Sequence, residues 1–139
     1  VSLASKWSQL RGYDLVHFES YIDKKPTYHT NVLMFITNKF AGICFDSIYD
    51  SKNLLSNIEK THKILNLSIE QVKNFSGNAI VVRNINNEAK FLISSSGLKA
   101  FDLIQKRFIE KYYDIVDINI PTIEKIGGGS VRCMILELF

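Results

Sequence analysis

One cysteine stands in unusual surroundings. Cys133 lies in the segment Gly127–Gly128–Gly129–Ser130–Val131–Arg132–Cys133–Met134. Three consecutive glycines cost backbone entropy, so they belong where the chain turns steeply or comes close to a ligand. A thiol just past such a bend, at the start of an expected strand, would sit at the rim of a sheet. It could act there as a nucleophile if partial exposure and nearby positive character favour the thiolate. Arg132 is the adjacent cation, although neighbours on a strand point to opposite faces. The bend itself, with Gly128 and Gly129, could turn backbone N–H groups toward a polar substrate. From the residues alone a plainer reading is the commoner one: a glycine turn before a core strand, with Cys133 a small buried hydrophobe. A phosphate loop fits poorly, because the segment lacks the Lys-Ser/Thr ending and leads into a strand.

A second candidate is His29, between Pro26–Thr27–Tyr28 and Thr30–Asn31–Val32. It falls at an expected loop-to-strand boundary, where side chains often meet a pocket. An imidazole that titrates near neutrality suits proton transfer to and from a leaving amine. Asn31, two residues on and on the same face of a strand, could orient it. A surface histidine is the plainer alternative. His17 and His62 read as structural or surface groups, and Cys44, inside the apolar run Phe40–Phe45, reads as a buried thiol. Neither cysteine has Cys or His partners at metal-ligand spacing.

The elements that would carry these residues can be read from the pattern. Thr30–Thr37 and Phe40–Phe45 are apolar and joined by Asn38–Lys39, which predicts a hairpin. Leu54, Leu55, Ile58, His62 and Leu65 recur near the helical period after a cap at Asp50 or Ser51, and Ile64–Leu67 then extends. Ser68 is a possible cap for a short helical turn. The order then repeats. Ala79–Val82 and Lys90–Ser94 form a hairpin around Asn84–Glu88, a helix carries Leu98 through Ile109, and Ile115–Ile120 extends. Pro121 interrupts, Thr122–Lys125 forms a turn or short helix, and a last strand runs from Val131 to Leu138. Upstream, Tyr13–Glu19 alternates like a strand, Asp23–Pro26 is a polar turn, and Val1–Gly12 has no clear pattern. The expectation is an α/β chain with a ββαβ unit repeated at about forty-seven residues, comparing Val32 with Ala79. The units fall at about 30–75 and 76–121, with a final strand over 130–139. Such units leave open edges unless neighbours stack on them, so the chain reads as incomplete.

The 139 residues suffice for a hydrophobic core, and 46% hydrophobic against 22% charged residues fits a globular chain. The net charge of +3 comes from scattered Lys and Arg, with Lys106–Arg107 and Lys111 interrupted by Glu110. No basic stripe with stacking residues marks a nucleic-acid partner. No apolar run approaches the ~20 residues of a membrane helix. Two cysteines make no disulfide framework, which suits free thiols in a reducing, cytoplasmic compartment. The start at Val1, without Met, reads as a piece of something longer.

Three segments, in order, resemble one family: Tyr28–His29–Thr30–Asn31–Val32, Phe75–Ser76–Gly77–Asn78–Ala79 and Gly127–Met134. They are similar to the carboxy-terminal half of the amidinotransferase/arginine deiminase superfamily, which acts on guanidino and ureido groups, and most like its bacterial citrulline-hydrolase/amidinotransferase-like branch. The resemblance implies a fragment of an α/β propeller (pentein) built of ββαβ units around a central pocket, with 1–139 as its carboxy-terminal part. It implies Cys133 as nucleophile and His29 as acid/base group. Asn78, Gly128, Gly129 and Arg132 would lie toward the substrate, with Asn78 either touching it or shaping the pocket. The implied chemistry is hydrolysis of a guanidino or ureido carbon–nitrogen bond in an arginine- or citrulline-like amino acid, through a covalent Cys adduct and without metal or organic cofactor. Two departures stand out. The carboxylates that hold a guanidinium belong mainly to the family's amino-terminal half, and Asn31 stands where some deiminases carry Asp. The alternatives are an amidinotransferase and a non-catalytic binding or assembly subunit. An amino-terminal half or a second chain would complete the propeller.

Overall fold

The computed structural model describes residues 2–138; Val1 and Phe139, the ends of the expected domain and of its last strand, lie outside the described residues. The chain opens with helix α1 (Ser2–Arg11), whose only buried residue is Ser8 and whose Trp7 stacks on Tyr13. Residues 13–18 form no strand, contrary to expectation. Val16 and Phe18 instead pack their side chains against a core cluster without a backbone partner. Strand β1 (Glu19–Ile22) turns through Asp23 and Lys24, both at positive φ, into β2 (Lys25–Pro26). Consecutive positive-φ residues match the twist of a tight hairpin, and Pro26 is tolerated because β2 is an edge.

Helix α2 (Thr30–Leu33) precedes β3 (Met34–Ile36), so the strand expected over Thr30–Thr37 begins four residues late. The Val32 N–H bonds back to the His29 carbonyl, closing a turn where the β-branched residues suggested extension. Then come β4 (Phe40–Ile43), a 3₁₀ turn at Phe45–Ser47, and β5 (Ile48–Tyr49), which pairs with β1. Helix α3 (Lys52–Ile58) leads to β6 (Lys63–Asn66) and α4 (Ile69–Lys73). His62 falls beyond α3, outside the helix expected to contain it.

The next unit follows the same order. Strands β7 (Ile80–Arg83) and β8 (Ala89–Ser94) form a hairpin, α5 (Ser95–Ala100) and α6 (Leu103–Glu110) cross over, and β9 (Asp114–Ile118) returns. One helix was expected where α5 and α6 lie. The break comes at buried Phe101, which is extended, and at Asp102, which accepts from the Gln105 N–H in a capping box and starts a new helix. Helix α7 (Pro121–Gly127) has Pro at its favoured first position and ends on Gly128 at φ +66°, a left-handed cap that suits glycine.

Sheets β3–β4–β6 and β7–β8–β9 share one topology, an antiparallel hairpin whose second strand pairs in parallel with the strand after the helical crossover. Their helices also meet: Gln71 of the Ser68–Gln71 capping box donates to Gln105 at 2.6 Å and to the Ala100 carbonyl at 3.0 Å. One aromatic core spans the two sheets. Phe35 sits edge-on to Phe91 at 5.1 Å, and Phe40 packs on Phe91, Phe108 and Tyr113. Burial of each such ring contributes on the order of 2 kcal/mol. The described residues are thus mixed α/β with three small sheets.

The last strand expected from the sequence is absent among the described residues. Val131–Met134 is a 3₁₀ turn, and residues 135–138 are irregular. Its backbone bonds locally, Cys133 N–H to the Ser130 carbonyl and Ile135 N–H to the Arg132 carbonyl, while the Arg132 N–H goes to a side chain, so no row of donors remains for a ladder.

Candidate functional site

The turn carrying Cys133 is fixed from three sides. Val131 and Ser130 are buried beneath it. The Ser130 hydroxyl donates to Glu124 of α7 at 2.6 Å, and the same carboxylate accepts from Ser96 of α5. The third contact is Asn78, at the mouth of β7, whose Oδ1 accepts the Arg132 N–H at 2.9 Å. The Cys133 side chain is left exposed, whereas Cys44 is buried and its thiol is pushed up by that burial.

Cys133 opens onto a cavity of about 260 Å³. His29, Asn31, Asn78, Gly128 and Gly129 also line it, with Tyr28 and Phe75 as aromatic walls. His29 is the residue before α2, extended and exposed, and the Tyr28 ring meets it edge-on at 5.2 Å. The histidine, Asn78, and the cysteine with the glycines of the bend therefore share one concave surface, brought there by three separate stretches of chain.

Three expectations need correction. Arg132 does not face this cavity: its guanidinium pairs with Glu137 at 3.2 Å and donates to the Ile135 carbonyl at 3.1 Å, beside a different, larger hollow. On a 3₁₀ turn consecutive side chains diverge, and Glu137 supplies the better partner. Asn31 does not share a strand face with His29, because it sits in α2; its Nδ2 stands 3.8 Å from the Cys133 sulfur. Asn78 lines the cavity but has no donor to spare for a substrate. Its Nδ2 bonds to the Asn31 carbonyl at 2.8 Å and to the Cys133 sulfur at 3.1 Å, and the residue is 2% exposed.

Close contact between the two units makes this convergence possible. A Cβ on Gly77 would lie 2.5 Å from the Val32 carbonyl oxygen and 2.9 Å from the Leu33 carbonyl carbon, both backbone atoms of α2. Only glycine lets the second unit come this near the first. The brace from Glu124 to Ser130 and Ser96 was not read from the sequence, since nothing in the spacing links α5 to the glycine bend. Among the described residues no carboxylate lines the cavity, and no group of three His, Cys, Asp or Glu could hold a metal ion.

The model of the family described as N,N dimethylarginine dimethylhydrolase, eukaryotic, matches residues 2–139. The chain belongs to that family. Its membership supports the wider amidinotransferase superfamily suggested by the motifs. Among solved structures, this dimethylarginine dimethylhydrolase family member is similar to the apo structure of ArgZ, an arginine dihydrolase from the ornithine-ammonia cycle in Cyanobacteria. The TM-score is 0.55 at 13% identity, over 77% of this chain and 15% of that one, a likeness of fold. The chain thus spans about a seventh of the length of that relative. No curated protein matches the chain. Among the described residues no helix is long and apolar enough to cross a membrane.

Proposed function

We propose that the protein hydrolyses a carbon–nitrogen bond of the guanidino group of an arginine-like amino acid, with an N-methylated arginine as the substrate that its family suggests. The observation that carries this reading is the shared cavity: an exposed Cys133 sulfur and the His29 ring line one small concave surface beside the glycine bend. The Cys133 thiolate attacks the guanidinium carbon and forms a C–S bond. The C–N bond to the departing amine breaks as His29 gives that amine a proton. A water molecule then gives a proton to His29 and adds to the carbon, the C–S bond breaks, and a ureido product leaves with the thiolate restored. An amine in place of water would make the reaction an amidino transfer.

In this reading residues 1–139 are the carboxy-terminal part of an α/β propeller, with units at about 30–75 and 76–121 and a catalytic segment over 130–139. The carboxylates that hold the guanidinium come from an amino-terminal half or a second chain. Two free thiols suit a cytoplasmic setting. Among the described residues no carboxylate lines the cavity, which favours a second reading, a binding or assembly subunit whose site is complete only in a partner.

The test is product analysis on the full protein given N,N-dimethylarginine, arginine and citrulline separately, with and without an acceptor amine. The expected result is amine release together with a ureido product. Acid-quenched samples should carry a covalent mass increment on the Cys133 peptide, and Cys133→Ser should lose turnover by about a thousandfold or more. Full turnover in that variant would end the assignment, and no turnover on any of the three, with no adduct, would favour the subunit reading.

A further inference from the structure

Asn78 is a buried amide whose orientation the surrounding backbone dictates. Its Oδ1 can only be the atom facing the Arg132 N–H, because that partner is a donor, and its Nδ2 can only be the atom facing the Asn31 carbonyl, because that partner is an acceptor. With both ends fixed, Nδ2 stands 3.1 Å from the Cys133 sulfur, with its second hydrogen left to donate there. Asn31 brings a second amide nitrogen to the same sulfur at 3.8 Å, from forty-seven residues earlier in the chain.

We infer that Asn78 is a catalytic residue that donates a hydrogen bond to the Cys133 thiolate and aims it into the cavity. A sulfur anion accepts an N–H bond far better than a neutral thiol, so a fixed donor favours the reactive form. The donor is also rigid, being tied at both ends to backbone, and it holds the sulfur direction without a mobile cation. Arg132 contributes its backbone N–H as the anchor for Asn78, while its guanidinium stays with Glu137. Among the described side chains lining the cavity only Tyr28, His29 and Cys133 itself are ionisable. The inference rests on Cys133 being the nucleophile.

The test reads the thiol without any substrate. Alkylation of Cys133 by iodoacetamide is followed by peptide mass across pH in the wild-type protein, in Asn78→Asp, which sets an oxygen against the sulfur, and in Asn78→Ala. Buried Cys44 reports folding in the same spectra, since it labels only when the chain opens. The expected result is alkylation at neutral pH slowed about tenfold or more in Asn78→Asp and somewhat less in Asn78→Ala, with the pH–rate curves moved to higher pH and Cys44 protected. Superimposable curves in folded variants overturn the inference. If both variants expose Cys44, the wild-type protein decides: the Asn78 side-chain N–H signals should follow Cys133 ionisation in an NMR pH titration, and signals that stay flat overturn it. A protein that alkylates as expected but turns over no guanidino compound would sink the proposed reaction and leave the Asn78–sulfur contact standing.

Discussion

The entrances to the two sheets carry the same frame and different contents. Each begins with an aromatic residue followed, two residues after it, by a position that feeds an asparagine and then an apolar residue: Tyr28–His29–Thr30–Asn31–Val32 in the first, Phe75–Ser76–Gly77–Asn78–Ala79 in the second. The asparagines are forty-seven residues apart and both reach the Cys133 sulfur. Where the first entrance holds His29, exposed at the cavity, the second holds Ser76, buried and donating to the Gly97 carbonyl at 2.9 Å. Where the first holds Thr30, exposed, the second holds Gly77, pressed against the backbone of α2. One entrance keeps a group that can exchange protons at the surface; the other closes down and supplies the fixed amide. One frame, used twice, thus presents an exposed imidazole at one entrance and a buried, fully bonded amide at the other.

The contrast can be broken at its most reactive point by giving the first entrance the residue of the second. His29→Ser should lower turnover by about 10²–10⁴-fold, the usual worth of a general acid–base group, with the unfolding midpoint unmoved because His29 is exposed. Steady-state kinetics beside a denaturant titration checks both halves of that expectation. A next, smaller effect should follow from Gly77→Ala. The added methyl meets backbone atoms that cannot swing aside, so stability should fall by about 1–3 kcal/mol. Thr30→Ala, at the matching position, should change it by no more than about 0.5 kcal/mol. Equal losses at the two positions in urea unfolding would show that the entrances are not specialised as described.

The smallest effect is expected at Arg132→Ala. Its ion pair with Glu137 is partly exposed, and what holds Asn78 is the backbone N–H, which every residue but proline provides. Stability should change by less than about 1 kcal/mol and turnover by less than about fivefold. A large loss of turnover with intact folding would return the guanidinium to the site.

The ββαβ order, the two hairpins and the strands after each helix were legible because their signals are local: apolar runs of strand length, polar turns at Asn38–Lys39 and Asn84–Glu88, and the cap at Ser68. The residues that meet at the cavity were legible as candidates too, since His29, Cys133 and the glycines stand out by residue type. The geometry between them was not. Thr30–Val32 looks extended by propensity but turns into α2, with the Gly77 backbone packed against it. Residues 131–134 look like a strand but have no partner, because their donors bond locally or to Asn78.

The sequence by itself determined the kinds of group available and the repeat that carries them, because periodicity, turn chemistry and residue type act over a few neighbouring positions. Only the tertiary structure decided which nitrogen meets the sulfur. Asn78 rather than Arg132 faces Cys133, since that choice depends on backbone donors and acceptors forty-seven and fifty-four residues away, which side chains in a folded interior must satisfy before anything else.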